Sequence, residues 1–167
     1  VRQGVIASKI AAHAGDIDTM RSLLSMGAAV DTIDSSTTDT PLMIACRQGN
    51  TAKVELCLEY GSRNDPHPEF GQTALHVAVF SGNLDCCSVL LSVAEQSSAD
   101  SIICNLSDPH EQTPLHIAAS KGFEEIIDLL LNHGAQLHLK DVGGLNAVHM
   151  CSANGHKSCL ALLIDHG

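Results

Sequence analysis

Four side chains of the kinds that hold zinc crowd into one short stretch: His149, Cys151, His156 and Cys159. Two imidazoles and two thiolates form a sufficient tetrahedral donor set, and a site of this kind would make the fold depend on its metal. Five further cysteines, Cys46, Cys57, Cys86, Cys87 and Cys104, raise the question of disulfides or a reactive thiol. The total of seven is odd and does not read as a closed disulfide framework. Asn105-Leu-Ser107 spells an N-glycosylation acceptor. His76, His116 and His149 are the histidines to weigh as general bases, but that chemistry needs a nucleophile within reach. No phosphate-cradling glycine loop, nucleophile elbow or paired-carboxylate motif accompanies them. The residue types permit metal chemistry and do not assemble an enzyme.

Charge excludes two classes of partner. Across 167 residues there are 9 Lys+Arg against 19 Asp+Glu, a formal net charge of −10. The basic residues stand singly, with no run to outweigh that balance. Nucleic acid and anionic lipid are both held by clustered cations, so neither is expected to bind. No apolar run is long enough to span a membrane, and no signal-peptide pattern opens the chain. The chain starts at Val1 rather than Met and stops at Gly167 without a tail, which reads as a piece of something longer. The length suits one domain.

The elements that position these residues come from an internal repeat. Thr40-Pro-Leu-Met, Thr73-Ala-Leu-His, Thr113-Pro-Leu-His and Asn146-Ala-Val-His recur at steps of 33, 40 and 33 residues. A second series keeps phase with them: Gly15, Gly49, Gly82, Gly122 and Gly155. Twelve residues after each of these stands Gly27, Gly61, Ala94, Gly134 and Gly167. Thr or Asn opens a helix by accepting a hydrogen bond from a first-turn amide. Pro41 and Pro114 fall at the first helical position, where a missing N–H costs nothing. Small alanines let a neighbouring helix approach, and a glycine makes the tight turn. A second helix follows with an apolar stripe, as in Ile126, Ile127, Leu129, Leu130 and Leu131. Gly134 closes it, and a polar connector leads onward.

This pattern, T-P-L-H-x-A-A-x-x-G and then h-x-x-L-L-x-x-G-A, resembles the ankyrin repeat over essentially the whole chain. The resemblance implies one all-α solenoid domain of about five helix-turn-helix units with short β-hairpin-like connectors. The units fall at about 1–34, 35–67, 68–107, 108–140 and 141–167, the last truncated. The first, Ile6 to Gly15, departs most: Ile6 replaces the cap, and Ser8 and Lys9 replace Leu-His, either as a polar terminal cap or as a worn repeat. The 40-residue step places about seven extra residues in 95–104. These either lengthen the second helix by up to two turns or form a projecting loop, as a tolerated surface insertion or a contact element.

The resemblance also reassigns the chemical residues. His149 occupies the His of T-P-L-H, Cys151 the first helical alanine, His156 the position after the turn glycine, and Cys159 an apolar position of the second helix. The other cysteines fall on alanine, leucine and valine positions, so all seven read as small core residues in a reducing compartment. No cofactor and no metal is expected. His76, His116 and, by position, His149 tie adjacent units by bonding to a connector. Asn105 falls where ankyrin proteins carry a connector asparagine that an asparaginyl hydroxylase can modify, and His138 stands at the equivalent place one unit on. The ordinary reading of Asn105 is a residue that closes a turn.

Members of the family bind protein partners on a concave face made of connector tips and the exposed side of each first helix. Carried over by position, that face is His13, Arg47, Gln48, Glu69, Phe70, Gln72, Phe80, Ser81, His110, Gln112, Lys121, Leu145 and Asn154, with Ser35 and Ser36 beside them. Phe70 and Phe80 are two of only three Phe, in a chain with one Tyr and no Trp, yet both fall on variable positions. Buried by a partner, each would contribute about 2 kcal/mol or more; alternatively each packs on a neighbouring connector. Phe123, after a turn glycine, is expected to be partly buried. The function implied is a non-catalytic protein-binding scaffold, intracellular in the cytoplasm or nucleus, with no small-molecule substrate and monomeric as an isolated piece. Alternatively it is the regulatory or targeting domain of a larger enzyme or channel. Self-association through the open end at Leu160, Leu163 and Ile164 is a third course.

Overall fold

The computed structural model describes residues 15–31, 33, 39–96 and 103–167. Among them the elements are nine α-helices and one 3-10 turn, with no strand. In order these are α1 (Ile17–Ser25), α2 (Pro41–Gln48), α3 (Thr51–Glu59), α4 (Ala74–Phe80) and α5 (Leu84–Gln96). After the 3-10 turn Ile103–Asn105 come α6 (Pro114–Lys121), α7 (Glu124–Asn132), α8 (Ala147–Asn154) and α9 (Lys157–Asp165). The Ile6–Gly15 unit, His13, Ser35, Ser36 and the middle of the 95–104 insertion fall wholly or largely outside the described residues.

The helix starts are where the caps put them. Thr40 Oγ1 accepts from the Met43 amide at 3.3 Å and Asn146 Oδ1 from the His149 amide at 3.2 Å. Asp16 and Asn50 do the same for α1 and α3. Each saves a first-turn N–H from going unpaired. The first helices α2, α4, α6 and α8 stack in one row, and the second helices α1, α3, α5, α7 and α9 stack behind them. Leu42, Leu75 and Leu115, at the same repeat position, are fully buried between the rows, as are Ala45, Ala78 and Ala118. Packing of such short helices supplies stability that their own propensity cannot.

Contacts between units hold the row in register. The imidazole Nε2 of His76 donates to the Gln112 carbonyl and that of His116 to the Leu145 carbonyl, both at 3.1 Å. Their Nδ1 atoms accept from the amides of Thr73 and Thr113, which fixes the Nε2–H tautomer. Asn83 Nδ2 reaches back to the Cys46 carbonyl at 2.6 Å, and His156 Nε2 to that of Ser120 at 3.1 Å. His156 lies so close over Gly122 that a Cβ there would stand 2.5 Å from its Nδ1. Gly122, at φ 76°, must therefore be glycine on two counts, backbone and space.

The 95–104 insertion resolves in part. α5 has 13 residues where α3, α7 and α9 have nine, so the second helix is longer by about one turn. The position that terminates the other second helices carries Ala94, which is helical and buried, whereas Gly61 and Gly134 take positive φ. Without a residue suited to the left-handed turn the helix runs on. Phe123 is half-buried as expected, its ring lying over Gly82. The connectors are hairpin-shaped turns closed by backbone bonds in pairs: Asp108 N–H to Gln112 O at 3.0 Å with Glu111 N–H to Asp108 O at 2.9 Å, and Asp141 N–H to Leu145 O at 2.9 Å with Gly144 N–H to Asp141 O at 2.8 Å.

Candidate functional site

Phe80 ends α4 with its side chain in solvent, 54% exposed. A seven-residue helix must turn its last side chain outward once Val77 and Val79 have taken the buried positions. On one side of Phe80 lies a hollow of about 220 Å³. Gln72, His110, Gln112 and Lys121 form its walls, and Ile117 lies beneath. On the other side a second hollow of about 240 Å³ is bounded by Arg47, Gln72, Val77 and Phe80. Lys121 Nζ lies 4.3 Å from the centre of the Phe80 ring, a cation–π contact worth about 0.5–1 kcal/mol at an exposed site.

The structure thus brings six of the expected residues together: Arg47, Gln72, Phe80, His110, Gln112 and Lys121. Arg47 is not a free cation. Its guanidinium forks onto Asp39, with Nη2 2.8 Å from Oδ2 and Nε 3.1 Å from the same oxygen. Asp39 is the residue before the Thr40 cap, and nothing in the repeat pattern marks it. Val77 and Ile117, buried residues that the repeat pattern does not single out, also line the hollows. They stand three and four residues before Phe80 and Lys121, the spacing of one helix face.

The other expected residues sit apart from the hollows. Phe70 is 51% exposed on the connector and stacks on the His67 ring, centroids 5.3 Å apart. The Glu69 amide donates to His67 Nδ1. Gln48 is exposed, and its Oε1 accepts from Lys53 Nζ at 3.4 Å. Ser81 is the half-buried residue that closes α4. Leu145 and Asn154 are exposed on the last unit. Asn105 is occupied between units: its Nδ2 donates to the Gly134 carbonyl at 3.0 Å and its Oδ1 accepts from the Gln136 amide at 2.8 Å.

The thiols are held neutral. Burial pushes Cys57 and Cys87 up to about 12 and Cys151 to about 11, and raises the other four. A thiol so desolvated forms little thiolate at neutral pH and makes a poor nucleophile. Cys151 and His156 are each turned to a carbonyl of the preceding unit, Ala119 and Ser120, while His149 is exposed. Among the described residues no group of three or more His, Cys, Asp or Glu is placed to hold a metal ion. Two side chains pair with the backbone in ways that shape the connectors. Hydrogen bonds from the amides of Leu145 and Gly143 hold the Asp141 carboxyl below its ordinary range. Burial lowers His76, keeping its imidazole neutral.

Stacked helix pairs joined by turns, tied by a recurring imidazole-to-connector bond, define a helical repeat solenoid. The sequence model described as ankyrin repeats in three copies matches residues 8–100 and again residues 94–167. The chain belongs to the ankyrin-repeat family, whose fold is a protein–protein interaction module without catalytic machinery. It is 34% identical over 126 residues to the Homo sapiens transient receptor potential cation channel subfamily A member 1, covering 75% of this chain and 11% of the channel. It is 33% identical over 141 residues to the ankyrin repeat protein nuc-2 of Neurospora crassa, covering 84% of this chain and 13% of that protein. Inversin of Gallus gallus matches at 33% over 102 residues, 61% of this chain and 9% of inversin. The chain therefore spans roughly a tenth of the length of these relatives. Among the described residues no helix is long and apolar enough to cross a membrane.

Proposed function

We propose that this chain is a non-catalytic scaffold that seats an extended segment of a protein partner across the two hollows flanking Phe80. The observation that carries this reading is Phe80 itself, a large apolar ring more than half exposed between two depressions, with a cation held over its face. Solitary exposed aromatics with polar surroundings are typical binding anchors. Lys121 makes no ion pair among the described residues, so a partner carboxylate beside an apolar side chain fits this place. The net charge of −10 argues against nucleic acid or anionic lipid as the ligand. Seven free, buried thiols suit a reducing compartment, the cytoplasm or nucleus. In this reading the chain works as a monomer, and modification of Asn105 would have to break its bonds to Gly134 and Gln136 first.

The test is crosslinking capture from cell lysate by the 167-residue chain, by Phe80→Ala and by Phe70→Ala, each with fold verified. A partner retained by Phe70→Ala and lost with Phe80→Ala is the expected result. Capture unchanged by Phe80→Ala refutes the assignment. A second reading draws on the relatives' lengths: a chain that matches a tenth of a cation channel suits a regulatory or targeting segment of a larger protein. The binding surface is the same in both readings.

A further inference from the structure

A further depression is lined by the second helices, on the side away from the exposed face of Phe80. It is an open groove of about 980 Å³ running across the second helices α5, α7 and α9. Leu84, Leu129 and Leu162, one from each helix, give it an apolar floor, and all three are only partly buried by the rest of the fold. Asp85, Glu124, Glu125 and Asp128 line it as well. Glu125 stands three and four residues before Asp128 and Leu129, and Asn132 four and three after them, so two acids and a leucine share one face of α7. No Lys, Arg or His pairs with any of the four carboxylates among the described residues. Asp128 has a single neutral contact, from Asn132 Nδ2 at 3.2 Å.

We infer that this groove is a second docking surface, for an amphipathic helical segment of a partner protein carrying leucine-like residues on one stripe and Lys or Arg beside them. Charge complementarity selects this occupant. Four like charges around a leucine floor repel an acidic segment and are left unpaired by a neutral one, whereas cations placed at the groove's margins pair with them. The groove is open along three helices, which suits a helix laid in it rather than an enclosed small molecule. The surface is separate from the hollows at Phe80 and does not depend on them.

The probe is a fluorescein-labelled peptide of four helical turns with Leu on one stripe and Lys elsewhere. Its anisotropy is followed against the 167-residue chain at physiological salt. Two control peptides share its length, one with the same composition scrambled and one with Glu in place of Lys. Two double variants carry the same change in net charge, Glu125→Lys/Asp128→Lys in the groove and Glu55→Lys/Asp165→Lys outside it. All four positions are exposed, and circular dichroism verifies the fold of each variant before binding is compared. The expected result is binding of the striped basic peptide that weakens about tenfold or more in the groove variant. The outside variant, where only screened long-range charge acts, changes it less than about threefold. Amide shifts should map to α5 and α7, and Phe80→Ala should leave binding intact. The inference is overturned if the striped peptide does not bind, if the scrambled peptide binds equally, if both double variants weaken binding alike, or if Phe80→Ala abolishes it.

Discussion

Replacing His116 by Ala tests whether the imidazole bonds between units hold the array together. In the native fold His116 is 2% exposed, its Nε2 donates to the Leu145 carbonyl, and its Nδ1 accepts from the buried Thr113 amide. Alanine removes one inter-unit bond, about 1 kcal/mol, and strands the Thr113 N–H, about 1–2 kcal/mol more. The void left by the ring adds to this, for a total of about 3 kcal/mol. His149 provides the internal comparison. It holds the same repeat position and also accepts from its own cap amide, Asn146, but it is exposed and water can replace it. His149→Ala should cost less than about 1 kcal/mol, the usual limit for an exposed change of this kind. Urea unfolding followed by circular dichroism reads the difference. With a slope of about 1–3 kcal/mol per molar urea, His116→Ala should lower the midpoint by about 1–3 M and His149→Ala by less than about a third of that. Helical arrays can unfold in segments, so slopes must be compared together with midpoints. Equal shifts in the two variants would refute the reasoning, because the cost would then arise within a unit and not between units.

Gly122→Ala and Gly155→Ala form a second matched pair. Both glycines sit near φ 75°, but only at Gly122 would the new methyl meet a neighbour, the His156 ring. Left-handed strain of about 1–2 kcal/mol is common to both, so the extra loss of thermal stability in Gly122→Ala measures the contact; identical melting temperatures would deny it. Stability should also fall on mild acidification. His76 titrates below its ordinary 6.5 in the folded chain because burial disfavours the charged ring, so between those two values the unfolded state binds more protons. The contribution is fully present above 6.5 and is lost as pH drops through the folded value. An NMR titration of His76 with its midpoint at or above 6.5 would contradict this.

What could be read from the sequence was local and periodic. Thr40, Thr73, Thr113 and Asn146 announce helix starts because a cap acts within three residues, and Gly122 announces a turn because few other residues take its backbone angles. The tie from His76 to the next connector followed from its repeat position. Phe80 was legible as exposed because its repeat position is variable. The Arg47–Asp39 fork was not, because it depends on one carboxylate just outside the repeated pattern. The outer groove was hidden for a related reason. Leu129 belongs to the apolar stripe expected of a second helix, and only the packing of three helices leaves Leu84, Leu129 and Leu162 partly uncovered together. Ala94 was visible as the exception in the glycine series, and the longer α5 is its direct structural consequence.

The two faces of the array ask for opposite chemistry, and this constrains how they can be used. At Phe80 the arginine is already neutralised by Asp39, so Lys121 is left as the cation that a partner would meet. Asp108, beside the same hollow, accepts backbone bonds from His110 and Gln112 through its Oδ1 and is partly satisfied before any ligand arrives. A segment seated there gains from carboxylates. A segment in the groove of α5, α7 and α9 meets four carboxylates without a cation among them and gains from Lys or Arg. One peptide cannot satisfy both surfaces, because the charge that draws it to one repels it from the other. Since the hollows are lined by first helices and connectors and the groove by second helices, occupation of one leaves the other accessible. With both proposed surfaces in use, the fold would hold two dissimilar segments at once. Those segments can come from two partners or from one chain that wraps the array with its acidic and basic stretches apart.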